Sequence, residues 1–308
     1  MWFRSFILFI LFLFGNASIM AMEAGGPSSE KADSLHKGRF GALLGGKGLF
    51  TTGTYLGLEQ AWYSDYPRTR FHFFRDHRNW LQMDKAGHFW SGHHLSRWSS
   101  SLWGWSGMKK KRAILWGSGA GFIFLTGIEV MDGFSKGWGF SLSDAGSNLL
   151  GAASFYFQKK HWGKPLIIPA FSYRPSKFPQ YRPSLLGDGS IEKVLKDYNG
   201  QSYWLDLDSE LFWEDPPVPD CLALSIGYGA SGMLGGKENP SFDEDGAPLP
   251  HFPRYRRFYL SVDLLLRDLP VEGKGWQTLF KILDSIKLPF PALEYSPQKG
   301  FRGHLLGP

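Results

Sequence analysis

The chain has 308 residues, 43% of them apolar and 20% charged. That composition supports a packed core and excludes a disordered chain, and the length suits one large or two ordinary domains of about 100–200 residues. The net charge of +6 is mild for the length, and no arginine-rich arm or basic–aromatic interleaving points to nucleic acid.

The chain begins with one Arg, an apolar run from Phe6 to Phe14 and small residues near Ala21. This is the order of a secretory signal, expected over 1–21, and the run is too short to span a bilayer comfortably. Residues 22–35 read as a polar Gly/Ser/Pro linker. The single cysteine, Cys221, precludes an internal disulfide, and no Cys near the leader suggests lipid attachment.

Four helices are expected within a bundle at 36–164: His36–Tyr63, Met83–Trp105, Lys110–Met131 and Ser143–Lys160. Each is rich in Gly, Ala and Ser. Gly41/Gly45, Gly53/Gly57 and Gly117/Gly121 are small residues one turn apart, which predicts close helix contacts. The uncharged run Ala113–Ile128 is shorter than the roughly 20 residues a membrane span needs. The reading is therefore a compact bundle at or near a membrane surface. The basic run Lys109–Arg112 reads either as a solvated loop or as a contact with anionic lipid head groups. The 13 Trp suit half-buried or interfacial positions.

At 165–308 prolines multiply and four short alternating runs predict antiparallel strands: "LIIPAFSY", "SYWLDLDS", "CLALSIGY" and "RRFYLSVDLLL". Phe258, Leu260, Val262, Leu264 and Leu266 fall on one face. About four strands are too few for a closed outer-membrane barrel, which needs at least eight. "WQTLFKILDSIK" predicts a short amphipathic helix with Trp276, Leu279, Phe280 and Leu283 on one side. The expected fold class is α+β, with about four Gly-rich helices followed by a smaller antiparallel part.

The candidate site starts from "QMDKAGHFWSGHH", Gln82–His94. At 100° per residue Asp84, His88 and Ser91 share one side, His93 points away and His94 sits on the flank. Asp at i and His at i+4 can bond each other or share a metal or substrate. Equally, Asp84 can serve the helix dipole while His88 is a buried, hydrogen-bonded residue. Glu129 and Asp132 share a face at a helix C-terminus, against the dipole preference. Asp144 follows the possible caps Ser141 and Ser143 in a capping-box pattern, and Asn148 lies one turn on. "GYGASG", Gly227–Gly232, matches G-x-G-x-x-G after a strand, but the helix a dinucleotide site needs does not follow. Its "GASG" likewise lacks the helix that carries the nucleophile in rhomboid-type proteases. No standard zinc motif is present, and the sequence names neither metal nor cofactor.

"WLQMDKAGHFWSG", "GIEVMDGFSKGWGFSLSDAGSNLLGA", "YGASGMLGG" and "RRFYLSVDL" resemble the YfiM-like domain of unknown function, a family of predicted periplasmic proteins or lipoproteins. The order Asp84-Lys85-x-x-His88, Glu129, Asp144-x-x-x-Asn148 also resembles VanZ-like membrane proteins. These resemblances imply an exported envelope protein in which Asp84, Lys85, His88, Glu129, Asp144 and Asn148 form one polar cluster inside a bundle. Such a cluster serves chemistry or fixes helix register. Two functional readings follow. One is a membrane-associated protein that binds a lipid or an envelope partner protein. The other is an envelope hydrolase acting on lipid or cell-wall intermediates, with His88 as general base or metal ligand, Asp84 and Glu129 orienting or coordinating, and Lys85 holding an anionic group.

Overall fold

The computed structural model describes residues 35–63 and 66–307, so the expected signal and residues 22–34 of the expected linker lie outside the described residues. The described chain is α+β, with helices first and an antiparallel sheet after them. The long helices are α1 (Lys37–Leu58, continued by the π-helical turn Glu59–Tyr63), α2 (Met83–Trp105), α3 (Lys110–Gly133) and α4 (Leu142–His161). Two short helices follow, α5 (Pro183–Leu186) and α6 (Ser190–Lys196), and then the amphipathic α7 (Lys274–Leu283).

The chain divides into two interleaved compact units. The helical unit takes the described residues up to Asp76, Ser91–Pro165 and Val271–Leu279, and the sheet unit takes His77–Trp90, Leu166–Pro270 and the chain from Phe280 onward. Because α2 is continuous, its first two turns count with the sheet and the rest with the helices.

In the helical unit, α2 is the central rod, and every residue from Gly92 to Ser100 is buried. Small residues make that burial possible. A Cβ on Gly117 would stand 2.4 Å from the Ser100 backbone nitrogen, one on Gly121 2.7 Å from Ser96 Oγ, and one on Gly92 2.5 Å from the Asn148 carbonyl oxygen. The expectation of close contact fails elsewhere. Added Cβ atoms on Gly41, Gly45 and Gly53 meet nothing within 4 Å, because α1 buries only Leu43. Leu43 joins Leu102, Trp103, Met108 and Ala113 in an apolar cluster. Lys47 of α1 donates to Ser99 Oγ and lies 5.0 Å from the centre of the Trp103 ring. Burial lowers its pKa to about 8.

The sheet unit has six strands, two more than the sequence suggested: β1 (Ile167–Tyr173), β2 (Gln201–Asp208), β3 (Leu222–Ser231), β4 (Tyr255–Leu264), β5 (Ala292–Ser296) and β6 (Gly300–His304). They pair antiparallel in sequence order, β1-β2-β3-β4-β5-β6. The two added strands have five residues each, too short for a clear period of two. "GYGASG" ends β3, and Gly232 has φ of +81° with the Pro253 carbonyl oxygen 2.0 Å from where a Cβ would stand. These are strand-end glycines, as their turn-rich sequel suggested.

Residues His77–Trp90 pack on the sheet of their own unit. Met83 is fully buried with Ala230 and Met233, and a Cβ on Gly87 would lie 2.7 Å from the Tyr203 hydroxyl. The Trp90 indole donates to the Ser285 carbonyl at 3.0 Å. Just before α2, Trp80, Leu81 and Gln82 have φ of 49°, 50° and 66°. Three successive non-glycine residues in the left-handed region are held by their surroundings. Trp80 N–H donates to Gly236 O at 2.8 Å, the Tyr228 hydroxyl donates to Leu81 O, and Arg256 donates to Gln82 Oε1 at 2.6 Å. This turn sets the direction in which Asp84 and His88 enter their helix.

Candidate functional site

Among the described residues of the helical unit, the chemistry concentrates where α3 ends and α4 begins. Glu129, on the last turn but one of α3, is 2% exposed. Asp144, in the first turn of α4, is 7% exposed, and its carboxylate lies within 4.8 Å of that of Glu129. Ser141 caps α4, its Oγ accepting the Asp144 N–H at 3.0 Å. That is the capping geometry the spacing allowed, and it fixes the Asp144 backbone.

A third carboxylate comes from a segment the sequence did not single out. Residues 66–76 run beside the α3–α4 connection through bridges Arg68↔Ser135 and Phe73↔Phe140. They end at buried Asp76, which accepts hydroxyl bonds from Ser141 and Ser143, both at 2.6 Å. Its carboxylate is also within 4.8 Å of that of Asp144. A fourth, Asp132, accepts the Tyr63 hydroxyl at 2.6 Å.

Three buried acids with a half-buried fourth cannot all ionise freely. Glu129 carries the consequence: burial first, then the Asp144 and Asp132 carboxylates, raise its pKa to about 9, against a backbone bond from Ser141 that lowers it. The Tyr63 hydroxyl is likewise pushed up, by burial and by Asp132. Glu129 is therefore a neutral, proton-bearing carboxyl at neutral pH. Asn148 follows Asp144 by one turn and is fully buried. Glu129, Asp144 and Asn148 thus share this interior on α3 and α4.

Asp84, Lys85 and His88 lie in the other unit, on the first two turns of α2. Asp84 Oδ1 accepts the Lys85 N–H at 3.0 Å and its Oδ2 accepts Lys85 Nζ at 2.8 Å. Both side chains are largely buried, at 11% and 12% exposure. The charge of Asp84, after burial itself, contributes to raising the Tyr203 hydroxyl. His88 is half-buried.

Sequence reasoning also passed over His93 and His94. Both are fully buried in the helical unit. Their rings lie 5.2 Å apart, His93 edge-on to Phe155 at 5.8 Å and His94 5.6 Å from Trp98. The side of the helix turned away from His88 is interior. The signal was the neighbouring Gly92, whose missing side chain admits α4.

Residues 72–160 match the model of a family described as "Predicted periplasmic lipoprotein (DUF2279)". The match holds every residue of the expected cluster, Asp84 to Asn148, together with Asp76. The family's description supports an exported protein of the cell envelope, periplasmic or membrane-associated. No curated protein and no solved structure matches the chain.

Proposed function

We propose that this exported protein rests against a membrane through its helical unit and binds lipid there. One observation carries the reading: α3 and α4 bury small and polar residues and leave large apolar ones exposed. The buried face of α3 presents Gly117, Ser118, Gly121, Glu129 and Gly133 alongside Ala113, Ile114 and Leu125, whereas its exposed face presents the large apolar Leu115, Trp116, Ile123 and Val130 at 40–69% exposure. On α4, Asp144, Asn148 and Gln158 are buried while Leu149, Leu150 and Phe157 are 52–64% exposed. A water-soluble bundle does the opposite. α3 is also long and apolar enough to cross a membrane, yet only 33% of its apolar window is buried, unlike the core helix of a soluble domain. The reading is of a face laid on lipid, with Lys109–Arg112 at its start among the head groups. A bound lipid or an envelope protein partner occupies the same face.

Flotation of the purified full chain with phosphatidylethanolamine/phosphatidylglycerol vesicles tests this. The wild type floats, and Leu115→Asp/Ile123→Asp does not. A wild type that stays at the bottom rejects the reading.

A second reading, an envelope hydrolase acting on lipid or cell-wall intermediates, is favoured by Glu129. A carboxyl whose pKa burial raises to about 9 beside Asp144 is a proton donor in a buried site. From the sequence pattern and the YfiM-like and VanZ-like resemblances alone, we assign His88, Asp84 and Lys85 to the same chemistry. Metal analysis of the purified chain and hydrolysis assays with Glu129→Gln and His88→Ala test it. Normal folding with unchanged activity in both variants removes them from any catalytic role.

A further inference from the structure

The sheet is turned inside out. Trp204, Asp206 and Asp208 on β2, Ser225 on β3, Ser261 and Asp263 on β4 and Glu294 on β5 point to the buried side. There they meet basic side chains. Lys287 Nζ lies 3.6 Å from Asp263, Arg267 2.9 Å from Asp208, and His304 2.9 Å from Glu294. Ser225 donates to Asp206. The alternate residues point out and are apolar. Leu224, Ile226, Leu260, Val262 and Leu293 are each 39–48% exposed. They are also neighbours across strands, Leu224 opposite Val262, Ile226 opposite Leu260, and Leu260 opposite Leu293.

This band ends in an aromatic row that crosses all six strands in register: Phe171, Tyr203, Tyr228, Phe258, Tyr295 and Phe301. The half on β1–β3 is half-buried, with Tyr203 and Tyr228 beside Met83 in one cluster. The half on β4–β6 is open, with Phe258 44%, Tyr295 43% and Phe301 71% exposed. Beyond the row stand Arg256, exposed on β4, and Lys299, in the β5–β6 turn. On the band side, the outward positions of β3 and β4 carry no charge as far as Leu222 and Leu264.

We propose that the outer face of the sheet is a lipid-facing surface, seated against the acyl chains of a phospholipid membrane with the Phe258–Tyr295–Phe301 row at the head-group boundary. Scattered apolar side chains on a surface need no explanation, but a contiguous cross-strand band does. Apolar-out, polar-in alternation is the pattern of a sheet solvated by hydrocarbon, where polar groups must be satisfied inside. Aromatic rings collect at the boundary of that hydrocarbon, and cations just beyond it meet phosphates. A surface made for a protein partner needs no polar interior behind it. From Phe258 to Leu264 the band is about 20 Å long at roughly 3.3 Å per residue, which suits seating against one leaflet. The proposal stands apart from the helical face, since it rests on other residues in the other unit.

The test uses the full chain with Cys221→Ser and one new cysteine at Leu260, Leu293, Phe301 or, as a reference, exposed Glu238, each carrying an environment-sensitive fluorophore. Phosphatidylethanolamine/phosphatidylglycerol vesicles are then added. At the three sheet positions emission shifts to the blue and is quenched by nitroxides on the acyl chains, while Glu238 is unchanged. No shift at the sheet positions overturns the proposal. So does a shift without vesicles that grows with protein concentration, which gives the face to a second copy of the chain. A label at Ile123 separates the two readings: a response there without one on the sheet rejects only the sheet, and the reverse rejects only the helical face. Three independent sheet positions keep the test decisive if one labelled chain fails to fold.

Discussion

The carboxylates of Glu129 and Asp144 lie within 4.8 Å of each other in an interior where Glu129 is 2% exposed. The proton on Glu129 is what lets this pair exist. Its pKa rises on folding from 4.5 to about 9, so the stability that its protonation lends is complete below about pH 4.5 and is lost as pH climbs to about 9. The slope is at most about 1.4 kcal/mol per pH unit. Thermal melts of the wild type are expected to fall across that window. Glu129→Gln keeps a neutral, isosteric group and flattens the curve. An equally steep decline in the variant assigns the pH dependence to other groups.

Helix contact through glycine predicts a different series. Gly117→Leu and Gly121→Leu each force α3 off the α2 backbone and are expected to lower stability by about 1–3 kcal/mol or more. Gly41→Leu enters open space and leaves the melting temperature nearly unchanged or raises it. Gly235→Leu is also expected to destabilise, because a Cβ there would stand 2.4 Å from the Glu238 carbonyl oxygen. Equal melting temperatures for Gly41→Leu and Gly117→Leu contradict the packing account.

At Gln82, φ is 66° and the ordinary preference reverses. Gln82→Gly and Gln82→Ala both lose the bonds to Arg256 and His77. They differ only in the backbone, so Gly is expected to be the more stable by about 1 kcal/mol. In a regular helix Ala leads by a similar amount. Chemical denaturation of the two variants decides, and an Ala lead rejects a strained turn.

The polar interior of the sheet predicts a large loss on breaking one ion pair. Arg267 holds Asp208 at 2.9 Å and Asp268 at 3.0 Å, with Asp284 at 4.0 Å. Arg267→Met leaves buried Asp208 and Asp284 without that cation and is expected to cost about 3–5 kcal/mol. A change within 0.5 kcal/mol shows that water already reaches this network.

The sequence carried the elements well. The 3.6-residue periods placed α2, α3 and α4 to within about two residues, and period-two runs gave β1–β4. Periodicity says which residues share a face, not whether that face is in or out. Phe258, Leu260 and Val262 do share one, and it is the exposed one. For the candidate site, burial is what the structure adds. Glu129, Asp144 and Asn148, which the resemblance placed in one polar cluster, are all buried. Asp76 was not chosen, since it comes from an irregular segment brought in by tertiary bridges. His93 and His94 were set aside because one helix's geometry cannot show that α2 is surrounded.

Nitroxides at Leu115 and Ile123 report whether the exposed apolar face of the helical unit meets lipid. With the full chain on phosphatidylethanolamine/phosphatidylglycerol vesicles, collision rates with oxygen and with a water-soluble nickel chelate are compared by electron paramagnetic resonance. Lipid contact predicts both positions open to oxygen and shielded from nickel, with a label at Glu238 open to nickel. Nickel access at Leu115 and Ile123 equal to that at Glu238, on vesicle-bound protein, contradicts it.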